Sequence, residues 1–367
     1  MSKPICRWGI LGAASIARKN WQAIRLSGNG RLVAVASRSQ DRAAAFIAEC
    51  QSEAPVDPAP RAIGGYEELL AADDIDAVYI PLPTGMRLDY VRKAAAAGKH
   101  VLCEKPCGVN AGEVAAMVEA CAAAGVQFMD GVMFMHGDRL PALREVLDDG
   151  QSLGTIQRLA TQFSFMAGDE FHAQNIRVDA ALEPHGCLGD LGWYCLRMML
   201  WTLRYEMPTS LRARLIRESR ANAGEAGVPL SLSAELVFES GPTASLFCSF
   251  EAENQQWFTI SGTKGYVQVP DFVLPHVGSE VGFSVEQSHF AVDGCRFQMK
   301  RNHREIRVPE YSDGHTTSQE TKLFRRFGGL VLGGTPDPFW PDISLKTQVL
   351  LDACLKSARD GGREIVF

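Results

Sequence analysis

Glu104 and Lys105 stand side by side at the end of His100–Pro106, which reads HVLCEKP. The apolar run His100-Val-Leu-Cys103 follows Gly98 and predicts a buried parallel strand. Pro106 cannot donate to a sheet ladder and pushes Lys105 into an extended conformation, so the strand stops there. Ligands of open α/β sheets bind beyond the carboxyl ends of strands, where this acid and this cation would land. Two charges in a solvated loop would read the same way.

A second constellation lies in His185–Trp201, HGCLGDLGWYCLRMMLW. Asp190 and Tyr194 are four residues apart, a spacing that sets both on one helical face, one turn apart. Asp190 also falls near the predicted helix N-terminus, where an acid is favoured. Gly186, Gly189 and Gly192 recur every three residues, which is costly in a helix unless the backbone approaches something closely. An N-terminal acid and a core tyrosine would give the same pattern. Glu183 and His185 adjoin the glycines, and either could touch a polar ligand or be packing.

The third constellation is Gly12-Ala13-Ala14-Ser15-Ile16-Ala17, a small-residue turn between the apolar run Ile5–Leu11 and a helical pattern. Such a strand–turn–helix unit presents free backbone N–H groups to a pyrophosphate. Gly12, Ala14 and Ala17 match G-x-G-x-x-G only as G-x-A-x-x-A, and the Cβ of Ala14 limits phosphate approach. The end of the next strand, Arg31–Ser37, carries cofactor information. NAD sites place an acid there and NADP sites an arginine. Here the chain reads Ala36-Ser37-Arg38, with Arg42 one helical turn later. A hydroxyl and two guanidinium groups suit a 2′-phosphate, so NADP is expected ahead of NAD. An exposed arginine at a helix start is the plainer alternative.

These residues need elements to position them. Through residue 130, predicted strands at 5–11, 31–37, 76–81, 100–103 and 126–130 alternate with helices, including 41–50, 86–97 and 111–124. That rhythm predicts a doubly wound parallel sheet. After residue 130 comes a short helix at 140–147. Strands at 155–165, 211–217, 232–238 and 244–250 then show period-2 alternation, and a hairpin turns at Gly262–Gly265. Late helices are expected at 316–332 and 344–358. The expected architecture is α/β, with a dinucleotide-binding domain over 1–130 and an α+β domain with a mainly antiparallel sheet over 131–367.

Composition sets the outer limits. A chain of 367 residues exceeds one ordinary core, and 46% hydrophobic with 22% charged residues describes a globular protein. A net charge of −6 without a basic run leaves no nucleic-acid footprint. No apolar leader or membrane-spanning run is read, so a cytoplasmic location is expected. The ten cysteines form no CxxC pair and are expected as reduced packing residues. The eight histidines show no HxxxH or HExxH spacing, so no metal site is expected.

Nearly the whole chain resembles the glucose–fructose oxidoreductase / inositol dehydrogenase / MocA family. The resemblance rests on Trp8–Ala14, Ala36-Ser37-Arg38, Tyr79–Thr84, Glu104-Lys105-Pro106 and Gly189–Tyr194. The D-x-G-x-Y form of the last stretch is similar to the branch with dimeric dihydrodiol dehydrogenase and NADP-linked xylose dehydrogenase. The resemblance implies a Rossmann domain, a second domain with an open-faced sheet, and a site in the cleft between them. It implies Lys105 beside the nicotinamide and reacting oxygen, with Glu104 adjoining the cofactor. Tyr194 is implied as acid/base, with Asp190 positioning a substrate hydroxyl. Leu82, Pro83 and Thr84 would pack near the cofactor, and Arg177 would face the substrate with His185 nearby. Arg87 departs from the family, which often carries histidine at that position.

The reading is an NADP-dependent oxidoreductase moving hydride to or from a sugar, polyol or related diol. Free tyrosine has a pKa of about 10 and a nearby cation lowers an acid by about 1–3 units. Tyr194 therefore donates a proton without any shift but needs Lys105 to act as a base. The rivals are a cofactor-binding regulator without turnover and an enzyme that couples two sugars on a nucleotide it never releases. A homodimer or higher oligomer is expected, because an open sheet with apolar positions on both sides calls for cover.

Overall fold

The structure, a computed structural model of the chain, describes residues 4–219 and 227–367. Its contacts divide the chain into two compact units. The first comprises Met1–His136, Asp179–Pro184 and Asp313–Val349; the second comprises Gly137–Val178, His185–Ser312 and Leu350–Phe367.

In the first unit six strands form one parallel sheet: β1 (Cys6–Leu11), β2 (Gly30–Ser37), β3 (Arg61–Gly64), β4 (Ala77–Ile80), β5 (His100–Cys103) and β6 (Phe128–Asp130). Their order is β3-β2-β1-β4-β5-β6, so the winding reverses between β1 and β4. Between them run α1 (Ser15–Leu26), α2 (Gln40–Glu53), α3 (Tyr66–Leu70), α4 (Arg87–Ala96) and α5 (Ala111–Ala123). β4 is buried along its whole length, as a sheet covered on both faces requires.

The division expected at residue 130 is corrected by the contacts of the late chain. In the second unit lie α6 (Arg139–Asp148), α7 (Asp169–Gln174) and α8 (Trp193–Thr202). The next helix, α9 (Gln319–Gly333), belongs to the first unit. Its Phe324 and Phe327 rings lie 5.0 and 5.2 Å from Trp8 of β1, and Arg325 donates to Ser27 O at 2.8 Å. An apolar stripe finds the largest uncovered apolar face whatever its place in the sequence. α10 (Phe339–Arg359) begins five residues earlier than expected, which sets Asp342 in its first turn.

The second unit holds a nine-stranded sheet. Its strands are β7 (Ile156–Met166), β8 (Ser210–Glu218), β9 (Pro229–Val237), β10 (Thr243–Ser249), β11 (Glu251–Gly262), β12 (Tyr266–Val269), β13 (Glu280–Glu286), β16 (His303–Pro309) and β17 (Ile365–Val366). Their order is β16-β13-β12-β11-β7-β10-β9-β8-β17, and β7 with β10 is the parallel pair among antiparallel ones. β14 (His289–Asp293) and β15 (Arg296–Lys300) form a separate ribbon. Leu211, Ala213, Leu232, Ala234 and Leu236 are buried, while Arg158, Arg212, Glu235 and Arg307 are exposed. One face of the sheet thus packs and the other meets solvent.

Candidate active site

The register of the parallel sheet aligns its carboxyl ends. Leu11 pairs with Ala36, Ile10 with Tyr79, Ile80 with Cys103, and Cys103 with Asp130. Gly12–Ala14, Ser37–Arg38, Leu82–Thr84 and Glu104–Lys105 therefore all leave from one edge. Gly12 has φ +134°, and a Cβ there would meet Leu82 Cδ2 at 3.1 Å. The helix that follows has no side-chain cap at Ala14 and no acid in its first turn, with Ser15 and Ile16 exposed. By contrast α2 is capped by Ser39 and α5 by Asn110. An uncapped, acid-free helix start beside a small-residue turn fits a pyrophosphate.

At the exit of β2, Ser37 is buried, whereas Arg38 and Arg42 are exposed. The exposed hydroxyl there is that of Ser39, and Asp41 sits between the arginines on the first turn of α2. Sequence reading passed over Asp41, an acid that the helix start itself favours.

The exits of β4 and β5 are bound by buried polar groups. Asn20 Nδ2 donates to Tyr79 Oη at 2.6 Å, and Tyr79 Oη donates to Glu104 Oε1 at 2.6 Å. Complete burial pushes the Tyr79 hydroxyl well above its ordinary pKa, and the Glu104 carboxylate adds to the effect. Glu104 Oε2 accepts the N–H of Lys105 at 3.2 Å. The Glu104 carboxylate is 8% exposed and braces the turn. Thr84, fully buried, donates its hydroxyl to Glu183 Oε2 at 2.6 Å and its N–H to Oε1 at 3.0 Å. Glu183, weighed above as a ligand contact, is thus a cap for the β4 exit. The peptide bond Lys105–Pro106 is cis.

Arg87 is the group that residue type alone did not reveal. It opens α4 at 5% exposure, and its guanidinium donates to Leu82 O at 2.7 Å, to Glu104 O at 2.9 Å and to Pro106 O. The departure from histidine noted in the sequence is a fork holding three carbonyls.

The second unit carries Asp190 and Tyr194, but not on an uninterrupted α-helix. Leu188–Gly192 is a π-helical turn that runs into α8. Asp190 lies on the wide turn and Tyr194 on the first α turn, so the expectation of one regular helical face is corrected. Such π turns occur mostly as single turns inside α-helices, often at functional sites. The Tyr194 ring is 7% exposed, 5.8 Å from the Phe163 ring. Asp190 Oδ2 lies 2.8 Å from Nε of Arg177, which joins two residues that the sequence leaves thirteen apart.

The glycines of this stretch accommodate the protein itself. Gly186 has φ +48°, and a Cβ there would stand 2.2 Å from Pro229 O on β9. A Cβ on Gly192 would stand 2.8 Å from Leu188 Cδ1 and 3.4 Å from Cys248 Sγ. α8 is buried on every side, its Arg197 and Thr202 included. His185 is buried, with Nε2 3.9 Å from Asp352 Oδ1.

A groove of about 920 Å³ opens in the second unit along β11, β12 and β13, lined by residues such as Trp257, Gln268, Val277 and Arg307. None of the candidate residues lines it. Among the described residues no group of His, Cys, Asp and Glu is arranged to hold a metal, and no helix is long and apolar enough to cross a membrane. All ten cysteines are free thiols, nine of them buried, with Cys295 exposed.

Residues 6–132 match the oxidoreductase family model with an NAD-binding Rossmann fold, and residues 141–268 match the GFO/IDH/MocA C-terminal domain. D-xylose 1-dehydrogenase (NADP(+)) 2 of Haloferax volcanii is 34% identical over 284 residues, 76% of this chain and 81% of that protein. The bovine (Bos taurus) trans-1,2-dihydrobenzene-1,2-diol dehydrogenase is 32% identical over 72% of this chain and 74% of its own length. Among solved structures, KijD10, a 3-ketoreductase from Actinomadura kijaniata in complex with NADP and TDP-benzene, superposes with a TM-score of 0.79. It is 26% identical over 97% of this chain and 98% of that one. The chain belongs to the GFO/IDH/MocA family of oxidoreductases.

Proposed function

We propose that this protein moves hydride between NADP and a sugar, polyol or related diol, with Tyr194 carrying the proton and Lys105 acting at the reacting oxygen. The observation that carries the reading is the single carboxyl edge from which Gly12–Ala14, Ser37–Arg38, Leu82–Thr84 and Glu104–Lys105 all depart. When bound, NADP would accept the hydride and NADPH would donate it; the protein orients the nucleotide and handles one proton. The open start of α1 takes the pyrophosphate, and Arg38 with Arg42 takes the 2′-phosphate. Asp190, steered by Arg177, accepts a hydrogen bond from a substrate hydroxyl. Relatives named for D-xylose, for a trans-dihydrodiol and for a dTDP-linked keto sugar support a hydroxylated substrate.

The test is a panel of aldoses, polyols and trans-diols with NADP and NAD, and of the matching carbonyl compounds with NADPH. Turnover with NADP on at least one hydroxylated compound is expected. Nucleotide binding without turnover on any of them would instead identify a regulator.

We further propose that the solvent-facing side of the nine-stranded sheet is covered by a second copy of the chain, in the cytoplasm. Light scattering at micromolar protein checks the first part, and a monomeric mass would refute it.

A further inference from the structure

We propose that Arg87 is the positioning residue that fixes Lys105. The carbonyls of Glu104 and Pro106 stand on either side of Lys105, and both rest on Nη1 of Arg87. Nε of the same guanidinium holds Leu82 O at the exit of the neighbouring strand β4. Three carbonyls from two segments of chain thus meet on one planar fork. A guanidinium carries five N–H donors in fixed geometry, an ammonium is a compact point charge, and a neutral imidazole has one donor. The fork spreads its donors over separate nitrogens, a reach to three carbonyls that an ammonium's three donors on one atom and an imidazole's single donor do not match.

Most other bonds at this turn act elsewhere. Tyr79 and the Lys105 N–H hold the Glu104 carboxylate, and Glu183 holds Thr84. On the carbonyl side Arg87 makes the shorter bonds, with Thr84 Oγ1 3.4 Å from Pro106 O and Cys103 Sγ 3.5 Å from Glu104 O. Removal of Arg87 strands buried acceptors, and the turn moves until they find other donors. A displacement near 1 Å at a reacting group is enough to cost about 10²-fold in rate.

The inference rests on Lys105 taking part in the reaction, and the experiment separates the two ideas. Arg87→Met, Lys105→Met and the double variant are assayed with NADP and D-xylose, or the best hydroxylated compound of the panel. NADPH affinity is read from its fluorescence. Arg87→Met is expected to lower kcat about 10²-fold with NADPH affinity retained, and Arg87→Lys to recover only part of the loss. In the Lys105→Met background Arg87→Met is expected to cost nothing further, because it acts through the missing lysine. An equal loss in both backgrounds would make Arg87 a purely structural residue and overturn the proposal, as would a parent rate for Arg87→Met. A parent rate for Lys105→Met would overturn the catalytic reading itself. Should Arg87→Met not fold, Arg87→Lys and Arg87→His enter the same cycle with the same expected outcomes.

Discussion

At the exit of β5 the chain is held by polar groups, and at the start of α8 it is held by packing. Around Lys105, Arg87, Glu104, Tyr79, Asn20 and Thr84 are all nearly or fully buried, and each has a bonded partner. Around Tyr194, all ten residues of α8 are buried, glycines admit β9 and Cys248, and Arg177–Asp190 is an ion pair at the π turn. A polar network has few alternative arrangements, since moving one member strands the rest. A packed helix tolerates loss of a hydroxyl and resists added volume. The same kind of substitution should therefore do different things in the two regions.

The largest effect is expected on rate. Tyr194→Phe keeps the ring against Phe163 and removes only the hydroxyl, so melting and NADPH affinity should hold. Turnover should fall by about 10²–10⁴-fold, the usual worth of a positioned acid or base. Lys105→Met should be at least as damaging, and the double variant little worse than the worse single one. A Tyr194→Phe protein that turns over at the parent rate would assign the proton to Lys105 or water and make this tyrosine packing.

Next comes cofactor choice. Arg38→Ala removes the guanidinium proposed to hold the 2′-phosphate, a group that only NADP carries. The loss of a charge-assisted contact is expected to cost about 1.5–3 kcal/mol, or tenfold and more in NADP affinity, with NAD affinity unchanged. Titration with both nucleotides decides it: parallel losses would show Arg38 to be structural.

Tyr79→Phe applies to the first region the change that Tyr194→Phe applies to the second. It leaves Asn20 Nδ2 and Glu104 Oε1 without the hydroxyl that each bonds at 2.6 Å. Stability should fall by about 1–3 kcal/mol, read in a urea titration, whereas Tyr194→Phe leaves the midpoint in place. If both variants unfold alike, the contrast between the regions is wrong.

Much of this was legible from sequence because it is local. Strand exits at Gly12, Ser37 and Glu104 follow from apolar runs ended by glycine, polar residues and proline, and the β–α alternation gives the parallel sheet. What escaped is non-local or degenerate. The π turn leaves Asp190 and Tyr194 four apart, as an α turn would. Glu183 shows no sign in the sequence of its partner 99 positions away. Arg87 stood out in the sequence as a departure from histidine, but its three carbonyls show only in the fold. β3 was hidden behind the proline-rich stretch 55–60, and α9 returns to the first unit through rings that only a fold brings to Trp8. β13 was readable: Val281, Phe283 and Val285 alternate and are buried.

The smallest effect is expected where the packed region carries its ion pair. Arg177 is 42% exposed in its side chain and Asp190 15%. Pairs this open contribute about 0–1 kcal/mol to stability, and salt screens them further. Arg177→Met keeps the aliphatic stem, so melting should shift by no more than about 2–4 °C. The proposed role of the pair is to aim Asp190 at a substrate hydroxyl, a contact made equally in ground and transition states. KM should then rise with kcat unchanged, and high salt should narrow the gap between parent and variant. Equal falls in kcat and kcat/KM would put Arg177 in contact with the transition state instead. Unchanged KM and melting together would remove Arg177 from the site and leave Asp190 to position the substrate alone.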